Sequence, residues 1–468
     1  MIDLDPAEIA AVVGGAVHDG DVARTVSGAA FLDSREIEPG GLFVALAGEH
    51  TDGHEYAAAA VAGGAAAVLG SRPTGAPTIV VDDPVAALGI LARHVLDRLA
   101  GTTVVALTGS QGKTGTKDYL SHVLAGVGET VATRGNLNNE IGVPLTVLRA
   151  GPTTRFLVVE MGARGVGHIA YLCGIAPPAV GMVLNVGTAH LAEFGSREAI
   201  ARAKGEIVEA LAPDGIAVLN ADDDLTAAMA SRSRAPVWTF GRRATAEVSA
   251  TDQHLDDLGR PVFRLRHAER DAAVRLRLVG EHQVDNALAA ATAALALGVP
   301  LPEVAERLSD TGPSSRWRME MRETADGTVV INDSYNANPD SMRSALETLA
   351  LIGRRRGART VAVLGGMLEL GSDAEELHRG VGHEAARLGI DRLVVVGDLG
   401  RTIGEGATAE RSWRGEVILT SDRDQARAWV RENVASGDAV LVKASRGIAL
   451  ENVAHDLAGP AEEQELTP

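Results

Sequence analysis

Val104-Val-Ala-Leu-Thr-Gly-Ser-Gln-Gly-Lys-Thr114 is an apolar run that breaks into a glycine-bearing loop, with a helical pattern expected from near Lys117. Strand, glycine loop and helix in that order form a phosphate cradle. Gly109 and Gly112 let the backbone turn tightly, so successive N–H groups around Ser110 and Gln111 and a helix N-terminus can face an anion. Lys113 would reach the β- and γ-phosphates, and the Thr114 hydroxyl a Mg²⁺ ion. The loop is shorter than the common G-x-x-x-x-G-K-[ST] form, because Leu107 stands where its first glycine would be. An ordinary glycine-rich turn between strand and helix is the plainer reading. The flanking elements favour a nucleoside triphosphate.

Outward from this loop the chain alternates strands and helices. Apolar runs at Phe156–Glu160, Val180–Asn185 and Ala217–Asn220, with helical patterns between them, predict a mainly parallel sheet. Short β-rich pieces between 236 and 279, at Val237, Val262 and Val274, predict an antiparallel edge. Upstream, residues 1–102 read as short strands and Ala-rich helices. Downstream of Gly312-Pro-Ser-Ser315 the alternation resumes, with strands at Thr328–Asn332, Thr360–Leu364, Leu393–Val396, Val417–Thr420 and Ala439–Val442. The expected architecture is α/β in three domains: a small unit at 1–102, a central P-loop-type unit at 103–313, and a Rossmann-like doubly wound unit at 314–468. Hinges are expected at Gly101–Thr103 and Gly312–Ser315.

Composition narrows the chemistry. The 468 residues carry a net charge of −18 and no long basic run, so nucleic acid and anionic membrane surfaces are not expected partners. Hydrophobic content of 46% with 3% aromatics predicts cores of Ala, Val and Leu. The single Cys173 leaves no pair for an internal disulfide and reads as a small buried hydrophobe. No secretory pattern opens the chain and no apolar tract is long enough to span a bilayer, which predicts a soluble cytoplasmic protein.

Open α/β sheets bind ligands beyond the carboxyl ends of their strands. Glu160, closing one apolar strand, is placed to hold Mg²⁺ beside the loop; His190, shortly after another strand, is a third candidate beside Thr114. Lys204 falls on the apolar face set by Ile200, Ile207, Val208 and Leu211. It either snorkels to water or is desolvated, with a depressed pKa and a reactive free amine. In the last unit Asp333-Ser-Tyr-Asn-Ala-Asn-Pro-Asp340 and Lys443-Ala-Ser-Arg446 both follow apolar strands. Each alone could be turn chemistry; two on one sheet edge suggest a ligand face.

Together these residues resemble the Mur ligase family, in its D-alanyl-D-alanine-adding branch, over essentially the whole chain. Asp33-Ser-Arg35, Pro39 to Leu46 and Asp52-Gly-His54 look like the family's uridine-nucleotide segment, which implies substrate contacts at Ser34 and Arg35. Gly135-Asn-Leu-Asn-Asn-Glu-Ile-Gly142 is similar to a substrate-binding segment (Asn136, Asn138, Asn139, Glu140), and Gly280 to Asn286 to the one that meets adenine (His282, Asn286). Glu160-Met-Gly162, Asn185 to His190, Ala203 to Glu206, the Asp333 loop and Gly365 to Gly371 follow in family order. The resemblance implies nucleotide contacts from Asp333, Asn336 and Lys443, and an arginine at the second boundary for which Arg316 and Arg318 compete. The chain departs from the pattern after His190, with Ala192 and then Glu193.

What the resemblance implies is a monomeric ATP-dependent ligase of peptidoglycan precursor synthesis. It would join UDP-N-acetylmuramoyl-tripeptide to D-alanyl-D-alanine through an acyl phosphate. It further implies two Mg²⁺ ions and a carbamylated Lys204 sharing one of them with His190. Another amino-acid ligase of the same superfamily (diaminopimelate- or lysine-adding, or a natural-product peptide ligase) is the alternative, although no Asp-Asn-Pro-Arg motif is present. A regulatory P-loop protein is the rival from another class.

Overall fold

Near-continuous Val/Ala/Leu runs are buried on both faces, and in the computed structural model they assemble as three sheets. The structure describes residues 1–19, 24–48, 51–187, 194–243, 245–368 and 370–459. The first sheet runs Ala16–His18, Thr78–Val80, Ala67–Gly70, Leu42–Val44, Ala30–Phe31, parallel except at the Ala16–His18 edge. The third places Ala439–Lys443 between Val329–Asp333 and Thr360–Leu364, with Arg392–Val396 and Glu416–Thr420 beyond. Only its edge strand Glu320–Glu323 is antiparallel.

The central sheet has nine strands. Thr103–Thr108 lies between Phe156–Glu160 and Val180–Val183, and Leu107 pairs with Glu160 across the first of these ladders. That register sets a carboxylate beside the start of the phosphate loop. Between 236 and 279 the chain forms four strands. Val237–Gly241 is parallel to both neighbours, so the antiparallel edge starts only at Val248–Leu255. The expected strand at Val274 lies earlier, at Arg270–Arg275; Val274, Leu276 and Leu278 alternate because they are buried, and Leu276 and Leu278 follow the strand's end. The phosphate-loop helix is Lys113–Ala125, starting four residues before its expected position. Gly112 at φ +75° reverses the chain, so Lys113 enters the first turn directly.

One apolar cluster runs from Leu4 and Ile9 through Leu88, Leu91 and Val95 to Val143, Leu157 and Ile169. The helix Pro84–Asp97 packs on Gly142–Val147 and His168–Ile175 of the central unit. The hinge expected at Gly101–Thr103 therefore has a continuous core beneath it. Cys173 is buried in this core with its sulfur 3.7 Å from that of Met161. Among the described residues, no helix is long and apolar enough to cross a membrane.

Candidate active site

The carboxyl ends of the central and third sheets face one another across a cavity of about 540 Å³. On the central side Asn185, just past Val180–Val183, holds the phosphate loop. Its Oδ1 accepts from the Ser110 and Gln111 amides at 3.0 Å each, and its Nδ2 donates to Gln111 O at 3.2 Å. The Gly187 amide donates to Ser110 Oγ at 2.9 Å. A Cβ on Gly112 would lie 2.3 Å from Asn286 Oδ1, so this glycine is required by space as well as by its φ. Lys113 is not on an open loop: its ammonium turns back to Gly109 O at 2.9 Å, and burial lowers its pKa against the opposing pull of Glu160.

Glu160 is buried and doubly held. Thr114 Oγ1 donates to Oε2 at 3.0 Å and Asn138 Nδ2 to Oε1 at 2.8 Å, while the Glu160 amide donates to Thr133 Oγ1. A hydroxyl and a carboxylate beside a phosphate loop are oxygen donors of the kind Mg²⁺ takes up together with phosphate oxygens. Among the described residues no three His, Cys, Asp or Glu side chains converge, which a site completed by phosphates does not need. His190 and Glu193 lie outside the described residues.

Lys204 lies on the helix Arg197–Glu209, capped by Ser196, and its side chain lines the cavity. It is 5% exposed and has no hydrogen-bond or ion-pair partner among the described residues. Burial, and then the charge of Lys113, push its pKa well below the usual lysine value. Two residues on, Glu206 accepts from the Gly167 and Ala170 amides and so fixes the start of a neighbouring helix.

Asn136, Asn138 and Asn139 line the cavity; Asn139 Oδ1 also caps the helix Gly142–Val147 through the Gly142 amide at 2.9 Å. Glu140 is not among the cavity residues; it pairs with two that are, 3.2 Å from His168 Nε2 and 3.3 Å from Arg164 Nη1. His282 and Asn286 close one end, where burial pushes the His282 pKa down to about 4 and leaves a neutral imidazole. Ser34 and Arg35 are not among the cavity residues; Arg35 pairs with Asp33 at 2.6 Å in the turn after the strand Ala30–Phe31.

From the third sheet come Asp333, Asn336 and Lys443. Asp333 and Lys443 are register partners on adjacent parallel strands. Lys443 Nζ donates to Asp333 Oδ2 at 2.5 Å and to Asn336 O at 2.8 Å, so this buried lysine is spent on shaping its own loop. The linker separates the two arginines. Arg316 is exposed, whereas Arg318 lines the cavity with its guanidinium carbon 4.2 Å from the centroid of the Tyr335 ring. Trp317 (φ +59°) and Met319 (φ +49°) are left-handed, an uncommon pairing for bulky residues, and this twist turns Arg318 inward. The Met319 amide to Asp333 Oδ1 and the Tyr335 amide to Trp317 O hold it there. Sequence reasoning did not single out Tyr335 or the bracing role of Asn185. The only local signal for either was a polar residue just beyond an apolar strand.

Family models for the Mur ligase family catalytic domain, the Mur ligase middle domain and the Mur ligase glutamate ligase domain match residues 30–95, 107–294 and 317–446, one on each sheet. The UDP-N-acetylmuramoyl-tripeptide--D-alanyl-D-alanine ligase of Mycobacterium tuberculosis (strain ATCC 25618 / H37Rv) is 48% identical over 98% of both chains. The chain belongs to the Mur ligase family. Among solved structures, MurF from Acinetobacter baumannii superposes with a TM-score of 0.85 at 33% identity, covering 98% of this Mur ligase and 99% of that chain. The MurF ligase from Thermotoga maritima in complex with ADP gives 0.77 at 30% identity, over 92% and 97%.

Proposed function

We propose that this Mur ligase joins D-alanyl-D-alanine to UDP-N-acetylmuramoyl-tripeptide at the expense of ATP, as a monomeric cytoplasmic enzyme of peptidoglycan precursor synthesis that binds neither nucleic acid nor membrane. The observation that carries the reading is the convergence of Lys113 and Arg318 with the paired Thr114 and Glu160 on one cavity between two sheet edges. A carboxylate and a triphosphate repel each other, and fixed cations in a partly dry site offset that repulsion most effectively. The relatives named for this reaction agree across the full chain.

The division of labour follows the three units. Residues 1–102, with Ser34 and Arg35, take the uridine nucleotide; 103–313 supply the phosphate loop, His282 and Asn286 for ATP, and Asn136, Asn138, Asn139 and Glu140 for the peptide. Residues 314–468 supply Asp333, Asn336 and Lys443, which close the nucleotide site. A carboxylate oxygen of the tripeptide attacks the γ-phosphorus, and ADP leaves. The dipeptide nitrogen then attacks the acyl carbon, the bond to phosphate breaks, and the nitrogen loses its proton as the amide forms. Lys113 and Arg318 hold the γ-phosphoryl oxygens, Arg316 being too exposed to do so. Thr114 and Glu160 would hold a first Mg²⁺, and His190 with Lys204 as carbamate a second; when bound, the ions offset phosphate charge. Only a neutral amine takes up CO₂, and the burial of Lys204, which lowers its pKa, favours that form.

Mass spectrometry of reactions containing ATP, UDP-tripeptides and D-alanyl-D-alanine tests the reading. Product heavier than the UDP-tripeptide by one dipeptide residue, with matching ADP release, is expected. Incorporation of a single amino acid instead, or phosphate release that ignores the dipeptide, would reject it.

A further inference from the structure

The cavity holds more cationic side chains than the phosphoryl transfer uses. Lys113 and Arg318 are assigned to the γ-phosphoryl oxygens and Lys204 to the second metal, Lys443 is consumed by Asp333, and Arg164 is paired with Glu140. Arg446 is left over. It stands on the wall built by the third sheet, just past the strand Ala439–Lys443. Its guanidinium carbon lies 4.1 Å from the Trp317 ring centroid, and its Nη1 donates to Glu451 Oε1 at 2.8 Å. The remaining N–H groups of the fork have no partner among the described residues, and half of the side chain is exposed to the cavity. One face stacked and one edge tied leave a rigid fork with a free edge, the arrangement that binds a carboxylate.

Beside it stands Leu368, an exposed apolar side chain that lines the same cavity. Its amide donates to Ser445 Oγ at 3.0 Å, and a Cβ on Gly447 would lie 3.2 Å from its Cδ1, so the leucine is seated against the Arg446 loop. A cation with an apolar wall next to it matches a small amphiphilic anion. D-alanyl-D-alanine carries a carboxylate at one end, two methyl groups, and at the other end an amine that must stay unbound in order to react.

We propose that Arg446 receives the carboxylate of the incoming dipeptide and that Leu368 packs against its methyl groups, presenting the amine toward the phosphate loop. This rests on the dipeptide being the amine substrate. Because the Arg446 face is held by Trp317 of the linker, the receptor is in place only while the linker keeps its left-handed turn.

The test compares D-alanyl-D-alanine with its C-terminal carboxamide, in wild type and in Arg446→Gln, at saturating ATP and UDP-tripeptide. Hydrogen bonds to a charged group predict that wild type favours the acid by about 10- to 150-fold in kcat/KM. Arg446→Gln should lose that factor on the acid alone and treat the two dipeptides alike within about threefold, with KM for ATP unchanged. Arg446→Lys, which keeps charge and loses the fork, should fall between, and serves if the glutamine variant folds poorly. Equal use of acid and amide by wild type, or equal losses on both in the variants, would overturn the assignment. Wild type that forms no product with either dipeptide would overturn the functional reading as well.

Discussion

Lys204 shows how function and stability separate at one residue. An unfolded lysine has a pKa of about 10.4, whereas the folded one lies well below its ordinary value. Between those two values the unfolded chain binds the extra proton, so stability rises with pH across that window. Lys204→Met removes the penalty. In CO₂-free buffer it should be more stable than wild type at pH 6.5, by a margin that shrinks toward pH 9. Ligation should meanwhile fall by about 10²–10³, the usual cost of removing an electrostatic contact, and formate or acetate should partly restore it in Lys204→Ala. Denaturant midpoints at the two pH values and a product assay check this; a margin independent of pH, or an active variant, would show that the lysine merely snorkels. That Lys204 lay on an apolar face was legible from spacing alone. Its lack of a partner among the described residues was not, because that depends on every element packed around it.

At the scale of elements, the phosphate loop could be read because strand, glycines and helix are contiguous. The Asn185 that braces it comes from the loop at the end of another strand, more than 70 residues away. Likewise Arg316 and Arg318 look equivalent in sequence, and only the positive φ of Trp317 and Met319 distinguishes them. Gly112 tests how tightly the loop is built. Gly112→Ala faces a left-handed cost of roughly 1–2 kcal/mol and a contact with Asn286 Oδ1. A loss of more than about 2 kcal/mol is expected, and adding Asn286→Ala should recover the contact share while leaving about 1–2 kcal/mol behind. Equilibrium denaturation of the three chains reads both parts. Complete recovery would mean the backbone is not strained there.

Across the whole molecule, the helix Pro339–Arg356 ties the cavity to a distant contact. Its first turns supply Ser341, Ser344 and Ala345 to the cavity. At its far end, roughly 20 Å from Ser341 at 1.5 Å per residue, Arg355 Nη1 donates to Leu255 O and Asp256 O of the central unit. This second tie lies well away from the linker at Gly312–Ser315 and holds the third sheet against the central one. Arg355→Ala should raise KM for ATP about tenfold, as a lost charged hydrogen bond allows, with kcat within about twofold and a larger radius of gyration in solution scattering. An unchanged KM would show that closure does not depend on this contact. Sequence alone revealed three α/β units but not how firmly each is joined to the next.

The apolar core shared across residue 102 bears on how such enzymes diversify. In sequence the first hundred residues look like a cassette that recombination could exchange for another nucleotide-recognising module. A crossover at residue 102 would instead strand Leu88, Leu91 and Val95 against foreign partners and expose Val143 and Ile169 beneath them. Inheritance of this region is therefore coupled: the helix Pro84–Asp97 and the central surface it covers must change together, so new substrate handles arise more readily by drift within the lineage than by shuffling between lineages.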